Sequence, residues 1–238
     1  NEDSFGVISA LNLYVISDGM GGVAHGEVAS ALAIKTVLEY CQDVTNNPAT
    51  AAWGEQRPDL SEQTNRLASA AYLANHSISE AAIRNPAQHG MGATLVAAWI
   101  GSRRLSVVNV GDSRAYLLRS GVLERLTSDH TLVAEQVRRG IITQQQADTS
   151  KLQSVLIRAL GVQDEVESDA HERELLPGDA VLICTDGLTR MVPDSEIAAT
   201  VMKNSGAQAA ADRLVELALE RGGEDNVTVI VARVAGTG

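Results

Sequence analysis

Four short segments set an aspartate beside glycine, serine or asparagine: Ser17-Asp18-Gly19, Gly111-Asp112-Ser113, Thr185-Asp186-Gly187 and Asp225-Asn226. Carboxylates brought to one point repel one another unless a cation sits between them, and hard divalent cations with oxygen ligands are the usual answer. With Glu2 and Asp3, the chain holds enough acidic oxygens for two or three Mg²⁺ or Mn²⁺ ions, which keep several waters and need few protein ligands each. A glycine after the aspartate permits a tight turn and leaves its own carbonyl free to approach a cation, a role for which Gly19 is the best candidate. Two ions about 3.5 to 4 Å apart can bridge one water, lower its pKa from about 15.7 towards neutrality and aim it in line at phosphorus. A phosphate ester is the natural substrate, its charge taken up by the metals and any nearby guanidinium. A single Asp-Gly is more often only a turn, and Asp112 or Asp225-Asn226 alone would read that way. Their joint placement carries the argument.

That placement depends on strands. The first three aspartates each end an apolar run, residues 11–16, 105–110 and 180–184, and the fourth opens one at 227–234. Strand ends are where a sheet can aim several carboxylates together. Val28, Ala31, Ile34, Leu38 and Cys41 recur at helical spacing, residues 43–58 carry loop-forming Asn, Gly and Pro, and a second helix follows with Ser61 as N-cap and Leu67, Ala71, Ala74, Ile78 and Ala81 as its buried stripe. Closely spaced strands at 95–100, 105–110 and 115–118 favour an antiparallel meander. A polar insert follows, residues 129–160, with Asp129 and Thr143 as expected caps and Gly140 as a helix stop. Lying beside candidate site residues, it reads as a flap over about 127–160 that sets substrate selectivity. A strand at 180–184, a helix around 207–221 and a last strand at 227–234 complete the chain. Strand and helix groups segregate, so the expected fold is α+β, an antiparallel sheet sandwich covered by helices. No internal repeat or linker interrupts residues 1–238, which read as one domain.

Aromatic residues make up only 3% of the chain, so Ala, Val, Leu and Ile must build the core and a base-stacking platform is excluded. A formal charge of −11 opposes electrostatic capture of nucleic acid or anionic membrane. Cys41 and Cys184 are too few for a disulfide framework and too isolated for structural zinc, which fits a reducing cytoplasm. No apolar stretch reaches the ~20 residues of a membrane span.

Six ordered motifs now stand out: Asn1-Glu2-Asp3-Ser4, Ser17-Asp18-Gly19-Met20-Gly21-Gly22, Gly90-Met91-Gly92-Ala93-Thr94, Val110-Gly111-Asp112-Ser113-Arg114, Cys184-Thr185-Asp186-Gly187-Leu188-Thr189 and Asp225-Asn226-Val227-Thr228. Together they resemble the bacterial type 2C metal-dependent serine/threonine protein phosphatases, across the whole chain, with the insert ending Arg158-Ala159-Leu160-Gly161 resembling that family's flap. The resemblance implies a two-sheet β-sandwich flanked by helices on both sides, four layers in αββα order, with two to three Mn²⁺ or Mg²⁺ ions at one end. It implies that Asp18 bridges two metals, Gly19 gives its carbonyl to one, and Asp186 and Asp225 hold the other. Glu2 and Asp3 would bind or orient metal water, and Asp112 with Asp186 would match a further metal site. The catalytic roles of Asp18, Asp186 and Asp225 would act through metal-bound water. Phosphorylated proteins would be the partners, with a cognate bacterial Ser/Thr kinase as the opposing enzyme. In the family a phosphate-binding arginine stands a few residues before the first motif, upstream of Asn1. Met20 stands where animal members carry a histidine proposed as general acid, so metal-bound water is the expected proton source.

Two rival readings share these residues. Cys184 and Arg190 have the spacing of a cysteine-based tyrosine phosphatase loop, but Asp186 would put negative charge where phosphate should sit, and alternation along 180–184 makes Cys184 an ordinary buried residue. A type 2C fold without activity, serving as a sensing or binding module, is the other. The histidines show no metal-ligand spacing, with His76 and His25 read as surface residues; Arg114 is expected to pair with carboxylates, and Trp53 and Trp99 to pack.

Overall fold

A strand with apolar residues on both faces needs a packed layer on each side. In β9 (Ala180–Cys184) the alternation divides cleanly: Ala180, Leu182 and Cys184 pack among helices, while Val181 and Ile183 join a second cluster with Ile16, Val96 and Val107. The latter cluster lies between two sheets. The computed structural model describes residues 1–21 and 25–235, and within them every strand pairing is antiparallel.

One sheet has the order β1 (Asp3–Ile8), β2 (Leu13–Met20), β4 (Leu95–Ile100), β5 (Arg104–Val110), β8 (Asp169–Glu174), and the two-residue β3 (Gly92–Ala93) pairs with the end of β2. The other has the order β10 (Val229–Arg233), β9, β6 (Arg114–Arg119), β7 (Val122–Arg125). Helices α1 (His25–Asn46) and α2 (Glu62–Arg84) cover the first sheet through a core that includes Leu13, Val15, Leu95, Ala97 and Val108. Their shared stripe of Ala29, Ala33, Ala70, Ala71 and Ala74 is fully buried, so small side chains rather than aromatics let the layers approach closely. Helices α5 (Asp186–Thr189), α6 (Asp194–Lys203) and α7 (Ala207–Glu220) cover the second sheet. The result is the expected αββα sandwich. Between β7 and β8 lies the insert, with α3 (Leu132–Arg138) and α4 (Gln144–Asp148). Thr143 closes a capping box on α4, Gly140 takes a positive φ of 68°, and the Ser61 side chain accepts from the Thr64 amide at 3.3 Å, all as expected.

Four local expectations are corrected. Residues 95–118 do not form one continuous meander, because β4 and β5 pair in the first sheet while β6 belongs to the second. The crossing is the Gly111-Asp112-Ser113 turn, where Gly111 has φ 100° and a Cβ would come within 2.7 Å of Thr94 Cγ2. Strand β2 continues through Asp18 instead of stopping before it, because β3 extends its pairing. Helix α1 runs on to Asn46, into the stretch expected as loop. Strands β1 and β8 and helix α6 were not visible in the pattern: Phe5 and Val7 of edge strand β1 face solvent, and β8 reads as a polar DAHERE run.

Candidate metal centre

The predicted acidic residues meet at one end of the sandwich. Asp3 stands opposite Asp18 in the β1–β2 register. Asp3 Oδ2 accepts hydrogen bonds from Thr185 Oγ1 at 3.0 Å and Thr228 Oγ1 at 2.7 Å, so a carboxylate of the first sheet is tied to the ends of β9 and β10 in the second. Thr94 makes the second stitch. Its amide donates to the Asp18 carbonyl at 2.7 Å, its Oγ1 accepts from the Asp18 amide at 2.9 Å, and the same Oγ1 lies 2.7 Å from Ser113 Oγ beside Asp112. At the chain start, the Glu2 amide donates to Asn226 Oδ1 at 2.7 Å and the Glu2 carbonyl accepts from the Gly19 amide at 3.1 Å. A Cβ on Gly19 would collide with the Gly26 carbonyl, and one on Gly26 would come within 2.7 Å of the Glu2 carboxyl carbon. These close approaches require glycine. Asp186 opens α5 behind Thr185, and Asp225, half exposed, precedes β10.

Burial and mutual repulsion raise the affinity of this cluster for positive charge. Asp18 is pushed up to about 9, first by burial and then by Asp3, Asp186, Asp225 and Asp112. Asp112 is pushed up to about 7 by burial, then by Asp186 and Asp129. Burial likewise raises Asp3 and Asp186, in the latter case against the pull of Arg190. Asp3 Oδ1 and Asp186 Oδ1 are buried without a hydrogen-bond partner, which is costly for an acceptor oxygen. Hard anionic oxygens, two of them orphaned, and an adjacent glycine carbonyl fit a divalent cation. Among the described residues no three acidic, histidine or cysteine side chains are gathered closely enough to hold an ion as they stand. Instead the Arg190 guanidinium pairs with Asp186 and lies 3.6 Å from Asp225. Gly22, the last glycine of the Asp18 motif, lies outside the described residues.

Beside this centre the insert walls a cleft of about 300 Å³, lined on one side by Asp112, Arg114, Asp186, Thr189 and Arg190 and on the other by Thr131, Ala134, Gln144 and Gln153. The two ends of the insert zip together, with the Leu132 amide donating to the Val155 carbonyl at 2.8 Å and Ile157 to His130 at 2.9 Å. Asp129 does not cap a helix; Thr131 caps α3, and Asp129 instead receives Arg114 Nε and Nη2 at 3.0 and 2.7 Å. Arg114 thus pairs as expected. Trp53 is 48% exposed, and Trp99 packs against the core under α1 and α2. His76 is half-buried against Tyr72, with ring centroids 4.4 Å apart, and is no surface residue; His25 is likewise half-buried. Cys184 is fully buried, which pushes its thiol up to about 12, opposite to what a thiolate nucleophile needs. Thr94, Thr185 and Thr228 stand in the sequence motifs and Arg190 in the rival spacing, but the sequence assigns none of these roles to them, nor one to His130. Threonine is common in strands, and only contact across the two sheets reveals these as hydrogen-bonding partners.

A family model described as protein phosphatase 2C matches residues 1–220. The chain is 36% identical to the serine/threonine phosphatase stp of Listeria monocytogenes serotype 4b over 234 residues, covering 97% of this chain and 89% of that protein. It is 39% identical to the serine/threonine protein phosphatase PstP of Mycobacterium tuberculosis, covering 98% of this chain and 42% of that protein. The solved catalytic domain of PstP, in complex with two manganese ions, superposes with a TM-score of 0.83 at 38% identity, covering 99% of this chain and 92% of that one.

Proposed function

This chain belongs to the protein phosphatase 2C family, and from that premise we propose that it is a metal-dependent phosphatase hydrolysing phosphoserine and phosphothreonine in proteins. The observation that carries the reading is the half-buried Asp18, its carboxyl pushed up first by burial and then by four surrounding aspartates, with orphaned oxygens on Asp3 and Asp186 beside it. Asp18 and the Gly19 carbonyl would hold one Mn²⁺ or Mg²⁺, Asp18, Asp186 and Asp225 a second, and Asp112 with Asp186 a third. When bound, such ions polarise the phosphate and lower the pKa of a water beside it.

The protein's own residues do the positioning. Thr94 fixes the backbone of Asp18 from both its amide and its carbonyl, and Asp3 fixes Thr185 and Thr228 so that the strand ends carrying Asp186 and Asp225 stay registered with Asp18. Glu2 sets the Gly19 carbonyl through the Gly19 amide. The insert screens one side of the cleft and acts as the flap that selects substrates, exchange of which would alter phosphopeptide preference. The chain works as a single catalytic unit, against a cognate Ser/Thr kinase, in the cytoplasm. Supporting that location, both cysteines are free and buried.

The test is hydrolysis of a phosphothreonine peptide with Mn²⁺, with chelator, and by Asp186→Asn. Loss in both the chelated and variant samples is expected. Mn²⁺ binding without hydrolysis would instead mark a sensing module.

A further inference from the structure

His130 does not touch the carboxylates, yet it is 2% exposed and joins two parts of the molecule that the sequence separates. Its backbone amide donates to the Gly111 carbonyl at 3.0 Å, and the Gly111 amide donates back to His130 Nδ1 at 3.1 Å. With Nδ1 accepting, the ring proton sits on Nε2, 3.2 Å from Asp169 Oδ2 on β8. The other oxygen of Asp169 accepts from Arg158 Nη1 at 2.8 Å. Arg158 and Ile157 are where the insert returns to the sandwich, and the Ile157 amide donates to the His130 carbonyl at 2.9 Å. A chain of bonds therefore runs from the buried Gly111 amide, next to Asp112, through one buried imidazole to the half-buried Asp169 and the root of the insert.

We propose that His130 is a positioning residue that locks the Asp112 turn to the root of the insert, so that the placement of Asp112 and the seating of the flap are set together. The proposal rests on the reading of Asp112 as a metal ligand and deepens it. Imidazole suits the task because it offers an acceptor on one edge and a donor on the opposite one, so it spans a backbone amide and a carboxylate. Gly111 needs that acceptor. Its turn crosses between sheets at positive φ, and its amide is buried without a ladder partner other than His130. Asp169 stays ionised and so accepts the Nε2 hydrogen bond: burial works against its charge, but His130 and Arg158 outweigh it and bring the acid down to about 2. Buried networks of this kind are strong only when every member is satisfied.

Two substitutions separate the two ends of the relay. In His130→Asn, Oδ1 stands where Nδ1 accepted from Gly111 but the side chain is too short for Asp169. In His130→Gln, Nε2 reaches Asp169 and the Gly111 acceptor is lost. Amide exchange would be followed by NMR in the Mg²⁺-loaded full chain, alongside Mn²⁺ titration of phosphopeptide hydrolysis. His130→Gln is expected to expose the Gly111 amide to exchange and to raise the Mn²⁺ needed for half-activation about tenfold more than His130→Asn does, with a smaller change in KM. His130→Asn is expected to keep Gly111 protected while residues 155–158 exchange faster. Equal loss in both variants, tracking only their thermal stability, would overturn the proposal, as would an unchanged Gly111 amide in His130→Gln. An unaltered protein with no Mn²⁺ response would sink the phosphatase reading instead, and Gly111 exchange would still decide the relay.

Discussion

The Arg190 guanidinium lies against the Asp186 carboxylate and 3.6 Å from that of Asp225, bridging the two aspartates assigned to the second metal ion. A guanidinium and a divalent cation both seek the same carboxylate oxygens, so they compete for the position. Arg190 is thus a counter-charge for these two carboxylates.

Removing that charge is expected to act oppositely on two quantities. Arg190→Met should lower the metal-free unfolding free energy by about 1 to 2 kcal/mol, less than a fully buried pair because the guanidinium is partly exposed. It should also tighten Mn²⁺ binding several-fold. Calorimetric titration of Mn²⁺ and denaturant melts in chelator measure the two, and weaker Mn²⁺ binding would show that Arg190 supports the ion rather than displacing it.

Asp18 makes metal-free stability depend on pH. Burial and the neighbouring aspartates push Asp18 up to about 9 from its ordinary 3.8, so between these values the folded state binds more protons than the unfolded one. Its contribution is fully present below the lower value and is lost as pH rises through the upper. Scanning calorimetry in chelator should therefore give a higher midpoint at acid than at alkaline pH within that window. Asp18→Asn should flatten the profile and raise the alkaline midpoint, and an unchanged slope would refute the account.

Thr94 is buried, and its hydroxyl serves both Asp18 and Ser113. Thr94→Val keeps the shape and strands the Asp18 amide, at an expected cost of about 1 to 3 kcal/mol in denaturant unfolding. Thr94→Ser keeps the hydroxyl and should lose only the methyl packing, about 1 kcal/mol. Equal losses in the two would show that packing, not the hydrogen bond, matters here.

Thiol reagents test the excluded cysteine mechanism. Because Cys184 is fully buried with its thiol pushed up to about 12, iodoacetamide at neutral pH should leave phosphopeptide hydrolysis intact while mass spectrometry finds Cys184 unmodified in the folded protein. Inactivation in step with Cys184 labelling would revive that chemistry.

Much of this arrangement was legible before any coordinates. The unbroken apolar run at 180–184 and the α2 stripe of Leu67, Ala71, Ala74 and Ile78 mark buried residues, because side-chain direction along one element is local geometry, whereas Ala31 in the α1 repeat is exposed. The same logic failed for β1 and β8, an edge strand with Phe5 and Val7 in solvent and a polar strand, where burial leaves no alternating imprint. It also failed at β6, since two strands joined by a short turn usually pair and these cross between sheets.

The residue types of the centre were determined by the sequence: aspartates at strand ends, glycines where backbones meet, and no cysteine or histidine pattern to compete. Their convergence was decided only by the tertiary structure. Asp3 meets Thr228 across a separation of 225 residues, and Thr94, Arg190 and His130 take their roles from groups on other strands and loops. Local periodicity records which face of an element is buried, whereas a hydrogen bond or ion pair across two sheets depends on how those sheets stack, which no short window of the chain contains.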